Sequence, residues 1–149
     1  MKHSAKPILT SALLLLGVFN ISGQLVFVPD TNFRIWLNDE QPGLVDSNGL
    51  MDTTSALLAD LDTAYLQIDW SPFDLTGIEY LDGLTHLEVS PQGMVIGDIT
   101  ELPPNLIHLN IGGNAGIQLP ALPDLIEDLT IWTFPLTALP ELPEVLTSL

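Results

Sequence analysis

The chain has 149 residues, 3 Lys+Arg against 19 Asp+Glu, a formal net charge of −16 and no cysteine. Such a length suits one modest domain, and the absence of cysteine excludes disulfides, thiolate metal sites and cysteine nucleophiles. The acidic balance repels nucleic acid and anionic lipid, so neither is expected as a partner.

Residues 1–23 read as a secretory signal peptide. Lys2, His3 and Lys6 give a basic start, and Ile8 to Phe19 form an apolar run of 12 residues. That run is too short for an ordinary membrane span. Ser22 and Gly23 supply the small residues for cleavage near Gly23–Gln24. The alternative is an uncleaved N-terminal anchor, but no basic cluster follows the run to stop transfer. Cleavage leaves Arg34 against all 19 acidic residues, a formal charge of 1 − 19 = −18. The expected protein is secreted or at the cell surface, with no membrane insertion after cleavage.

Residues 24–63 read as a helical N-terminal cap. Asp30 suits an N-cap, and Phe33, Trp36 and Leu37 fall at i, i+3 and i+4 on one helical face. Pro42-Gly43 ends that helix. A second short helix is expected over Thr53–Asp60, with Leu57, Leu58 and Leu61 packing inward. Between the two, "DSNGLMDT" sets Asp46, Asn48 and Asp52 around Gly49. Alternating oxygen ligands about a glycine suit calcium, but an EF-hand loop has its Gly sixth and a Glu twelfth. Counting from Asp46, Gly49 is fourth and Leu57 twelfth, so an ordinary Asn-Gly turn is expected.

Residues 64–149 repeat. Leu102-Pro103, Leu122-Pro123 and Leu142-Pro143 recur at intervals of 20, as do Leu106, Ile126 and Leu146, and Leu109, Leu129 and Leu149. Leu84, Leu87 and Val89 precede Leu106, Leu109 and Ile111 by 22 residues, and Leu66 and Ile68 are placed 21 before Leu87 and Val89. A sustained period of this size marks a solenoid. Each unit reads L-x-x-L-x-[IV]. A strand alternates its side chains, so the second Leu and the Ile or Val point into the stack, and the first Leu enters it from the preceding turn. One unit cannot bury that face alone, and its neighbours cover it. The return "LPALPD" lacks ladder donors and suits an extended segment.

The units "ITELPPNLIHLNIGGNAGIQ" and "LPALPDLIEDLTIWTFPLTA" resemble the short, Pro-containing class of bacterial leucine-rich repeats. The stretch "VPDTNF…DSNG…DLTGIEYLDGLTHLEVS" resembles the front of secreted bacterial members, where a small helical cap comes first. The resemblance implies an α/β leucine-rich repeat solenoid with short parallel strands on a concave face. It also implies an Asn three residues after the Ile or Val, tying adjacent turns. Asn114 keeps that residue, whereas Ser71, Gln92 and Phe134 stand at the other places. Leu149 occupies the place of Leu109 and Leu129, so the expectation is an array cut short, part of a longer protein. Self-association through an uncapped end would follow. The alternative is a complete chain with a frayed last turn.

The residues flanking the inward positions fall on the concave face. They are Tyr65, Gln67 and Asp69, then His86, Glu88 and Ser90, then His108, Asn110 and Gly112, then Asp128, Thr130 and Trp132. All but Ser90 and Gly112 are candidate ligand-binding residues. Tyr and Trp are favoured interface anchors, although Trp132 can equally pack on its neighbours and cover the turn. His86 and His108 share a column near Glu88 and Asp128, which are zinc-type ligands. A flat row does not make a tetrahedron, so no metal and no other cofactor is expected. No G-x-S-x-G elbow, P-loop or H-E-x-x-H occurs, and no catalytic residue is assigned. The reading is a non-enzymatic binding module for a protein or glycan. The alternatives are the recognition segment of a larger secreted hydrolase or adhesin, with its active domain beyond residue 149, and a structural spacer.

Overall fold

The computed structural model describes residues 24–68, 74–91, 99–112, 119–132 and 139–149. The expected signal peptide, Asp69, and the expected Asn-ladder positions Ser71, Gln92, Asn114 and Phe134 lie outside the described residues.

The cap is more than helical. Strand β1 (Leu25–Phe27) pairs antiparallel with β2 (Leu50–Asp52), Leu25 facing Asp52. Helix α1 (Thr31–Glu40) lies between them in sequence. Its start follows from Asp30, whose Oδ1 accepts the N–H of Asn32 at 2.7 Å and of Phe33 at 3.0 Å. Those donors have no partner inside the helix. Phe33 and Leu37 are buried, and the half-buried Trp36 stacks on Phe33 with ring centroids 6.0 Å apart. The helix stops at Gln41, which is extended (φ −132°, ψ 92°), as the residue before a proline tends to be.

The loop after α1 is held by side chains. Asn38 donates through Nδ2 to the Val45 carbonyl at 2.9 Å and accepts the Val45 N–H at 3.0 Å. Asp46 Oδ1 accepts the N–H groups of Asn48 and Leu50, both at 2.8 Å. Gly49 closes this turn at φ +80°, a left-handed conformation that glycine adopts without a Cβ penalty.

The second helix is shorter and tighter than expected. It is a 3₁₀ segment over Ala56–Asp60, capped by Ser55. Asp52 keeps Thr53 and Thr54 out of it, because its carboxylate takes the Thr54 N–H at 2.9 Å and hydroxyl at 2.7 Å. Thr53 instead donates its N–H and hydroxyl to the Gln24 carbonyl, each at 3.0 Å.

Strands β3 (Thr63–Ile68), β4 (His86–Pro91), β5 (His108–Gly112) and β6 (Asp128–Trp132) form a parallel sheet in that order. The protein is therefore α/β, with a four-stranded parallel sheet and few helices. The pairing of β3 differs from the expected one. Ala64, not Leu66, faces Leu87, and Leu66, not Ile68, faces Val89. The true offset is 23 residues, two more than expected. A slip of two keeps every side chain on its face, since the strand period is two.

This register gives Leu61 a new role. Leu61, Leu84, Leu106, Ile126 and Leu146 each donate their N–H to the carbonyl three residues back, at 3.4, 2.9, 3.4, 3.2 and 3.2 Å. The first four are buried and Leu146 is half-buried. Just beyond, single carbonyls bind pairs of N–H groups on the next turn. Asp62 takes Thr85 and His86, Thr85 takes Ile107 and His108, Ile107 takes Glu127 and Asp128, and Glu127 takes Thr147 and Ser148. Ladder and apolar columns thus repeat together, and the core runs without a break from Val28 in the cap to Leu129 in β6. Gly83 permits one close crossing, because a Cβ there would meet the Ala59 carbonyl oxygen at 2.6 Å. Among the described residues no helix is long and apolar enough to cross a membrane.

Candidate ligand-binding face

The alternation that buries Leu87, Leu109 and Leu129 turns their neighbours outward. The register arranges those neighbours in rows across the strands. One row is Thr63, His86, His108 and Asp128; the next is Tyr65, Glu88, Asn110 and Thr130. Gln67 pairs with Ser90, and Gly112 with Trp132. Tyr65 therefore stands beside Glu88 and not beside His86, and Thr63 takes the place that sequence spacing gave to Tyr65. The signal for this was present: "LDTAYL" fits the unit with Ala64 in place of its second Leu.

The first row is tied into a chain of contacts. The His86 and His108 rings stack with centroids 4.2 Å apart and planes inclined by 26°. His108 Nδ1 lies 2.6 Å from Asp128 Oδ2, so that nitrogen carries a proton and donates it. His86 Nδ1 lies 2.8 Å from Thr85 Oγ1, which donates to the Asp62 carbonyl at 3.1 Å. A hydroxyl has one proton, so both contacts are satisfied when His86 also donates from Nδ1. Each neutral ring then leaves Nε2 as an acceptor with no partner among the described residues.

In the second row Tyr65 is 65% exposed. Glu88 Oε1 accepts the Ser90 hydroxyl at 3.1 Å. Trp132 donates its indole N–H to Asn110 Oδ1 at 2.9 Å. Its ring lies on Gly112, where a Cβ would come within 2.6 Å of ring atoms. The covering contact of Trp132 is therefore made, and the residue is still 38% exposed. Gly112 is the partner that sequence reasoning did not connect with it. Tyr65, the histidine pair, Glu88, Asn110, Asp128 and Thr130 line a shallow pocket of about 240 Å³, with Leu87 and Leu109 also at its wall.

Arg34, the one Lys or Arg among the described residues, is spent elsewhere. Arg34 donates from Nη2 to the Pro29 carbonyl at 3.1 Å and to Thr31 Oγ1 at 3.2 Å. Its guanidinium lies 5.7 Å from the centre of the Phe27 ring. Among the described residues, no Lys or Arg reaches the outward face of the sheet.

Other features offer less. Asp46 and Asp52 use their carboxylates on their own turns, which holds both below the usual aspartate range. The Leu50 N–H is the main cause at Asp46, and the Thr54 hydroxyl at Asp52. Among the described residues no three His, Asp or Glu side chains gather to hold a metal ion. A wider groove of about 850 Å³ lies between residues 121–124 and 140–145, but its walls are Ala, Leu, Pro and Val with Asp124, Glu141 and Glu144. It has no aromatic ring or side-chain donor to orient a ligand. No family model, curated protein or solved structure matches the chain.

Proposed function

We propose that this chain is a leucine-rich repeat binding module, secreted or at the cell surface, that holds a protein or glycan on the concave side of its sheet. Binding rests on a preformed surface and involves no catalysis. The observation that carries the reading is the division of labour across each strand. The inward residues repeat closely as Leu, Ile, Val or Ala, whereas the outward ones change from row to row among Thr, Tyr, His, Glu, Asn, Asp and Trp. A repeated interior with a varied, aromatic and polar exterior is what a recognition solenoid requires.

The test is a screen of the full chain against arrayed glycans and secreted-protein ligands, repeated with Tyr65→Ala combined with Thr130→Ala. Both side chains are exposed, so the variant should keep its fold and lose the bound ligand. A ligand held equally well by the variant, or lost only on substitution of Glu141 and Glu144, would place binding away from the sheet.

A further inference from the structure

We infer that the ligand presents an arginine side chain to the pocket bounded by Tyr65, the His86–His108 stack, Glu88 and Asp128. This rests on the reading of the outward face as the binding surface, and specifies the chemistry of its partner as a cationic protein segment.

The first ground is hydrogen-bond polarity. With Nδ1 of each imidazole spent on Thr85 and Asp128, the Nε2 atom of each ring is an acceptor in its neutral form. The Glu88 and Asp128 carboxylates are also acceptors, and among the described residues neither meets a Lys or Arg. Asn110 has its Oδ1 engaged by Trp132 and turns its Nδ2 donor to the pocket, where the Tyr65 and Thr130 hydroxyls can also donate. Charged acceptors are supplied by Glu88 and Asp128 alone, and their complement is a cationic group with several donors.

The second ground is shape. The two imidazoles cover one face of each other, and the exposed phenol of Tyr65 offers a flat π surface on the neighbouring row, with a carboxylate in each row. A guanidinium is planar, carries five N–H donors, stacks on aromatic faces and pairs with carboxylates in a fork. An ammonium has three donors on a compact centre and gains less from a flat wall. A neutral sugar can use the acceptors but leaves the Glu88 carboxylate without a counter-charge.

The third ground is charge complementarity over the chain. From Gln24 onward Arg34 stands against 19 acidic residues, and Arg34 is folded back onto the cap. A cationic partner is drawn to such a surface from a distance and is oriented by it.

The experiment measures binding of a labelled hexaarginine peptide to the full chain at physiological salt, with hexalysine and a neutral oligosaccharide as comparison probes. Glu88→Gln keeps the shape and the bond to Ser90, while Asp124→Asn makes the same charge change in the groove away from the sheet. The expected result is that Glu88→Gln and Tyr65→Ala each weaken hexaarginine by about tenfold. Asp124→Asn should have no more than about a twofold effect, and hexalysine should bind more weakly than hexaarginine. Equal losses for Glu88→Gln and Asp124→Asn would reduce the attraction to diffuse charge and overturn the inference, as would equal binding of the two peptides. An oligosaccharide that binds in a Tyr65-dependent way while hexaarginine does not would also overturn it, yet leave the outward face as the binding surface.

Discussion

In the cap the bends at Asp30, Asn38, Asp46 and Asp52 are each held by a polar side chain, whereas between the later strands a repeated ladder of backbone carbonyls and stacked apolar columns is the common element, with Asp74 and Asn105 adding side-chain bonds at single turns. Asp30, Asn38, Asp46 and Asp52 each fix one bend of the cap. In the sheet the carbonyls of Asp62, Thr85, Ile107 and Glu127 do this work for whatever residue stands there. The contrast shows where the molecule is free to vary. A cap residue that leaves takes its bend with it. An outward sheet residue leaves the ladder and the core in place, so its chemistry is available for recognition.

The largest effect separates the two faces of one strand. Leu109 is buried and makes the central column with Leu87 and Leu129. Leu109→Ala should cost about 2–5 kcal/mol, the range for a deleted Leu side chain in a packed core. His108→Ala, one residue away, loses only the contacts on the open face and should cost no more than about 1 kcal/mol. Urea unfolding of both variants checks this, and similar costs would abolish the distinction between the faces.

A smaller effect is expected in the cap. Asp30→Ala removes the helix cap and should cost about 1–2 kcal/mol. It also removes the bond from the Asp74 N–H to Asp30 Oδ2 at 3.3 Å, which joins the cap to the segment following β3. Hydrogen exchange should quicken at Asn32, Phe33 and Asp74 together, with little change in β5. Faster exchange in β5 by the same factor would mean that cap and sheet open as one unit.

The smallest effect is a pH dependence arising in the cap. Asp46 and Asp52 lie below their ordinary range when folded. Their contribution is therefore present above the unfolded aspartate value and lost as pH falls through the lowered folded values. Asp46 is exposed and Asp52 half-buried at the cap surface, so solvent screens the effect and the slope should be shallow. Asp46→Asn should flatten it further. An unchanged slope in acid would show that the turn gains nothing from the ionised carboxylate.

Much of this contrast was legible in the sequence. Asp30 followed by Phe33, Trp36 and Leu37 combines a cap with a helical period, and the two signals agree on one start. The later strands announce themselves because Leu106, Leu109 and Ile111 recur in like form 20 residues on. Strand β1 was missed because three residues, Leu25–Phe27, are too few to show a period. Strand β3 was placed two residues late because Ala64 fills a Leu position while Leu66 and Ile68 imitate the motif. The shared column of His86 and His108 could be read from spacing. Their ring tautomers could not, since these depend on Thr85 and Asp128 meeting them in three dimensions. Nor does sequence show that Gly112 leaves room for Trp132 from the neighbouring strand.

The register of β3 decides which residues share the pocket, and a chain without cysteine lets it be measured cleanly. Facing residues on parallel strands lie about 4.8 Å apart, within the Cα range of about 4.4–6.8 Å that a disulfide spans; a residue two further along the strand is about 8 Å away. Thr63→Cys paired with His86→Cys, and Tyr65→Cys paired with Glu88→Cys, should therefore oxidise readily to intramolecular disulfides. Tyr65→Cys paired with His86→Cys should remain reduced under the same conditions. Ready closure of the Tyr65–His86 pair, with the other two left as thiols, would contradict the register and the pocket built on it.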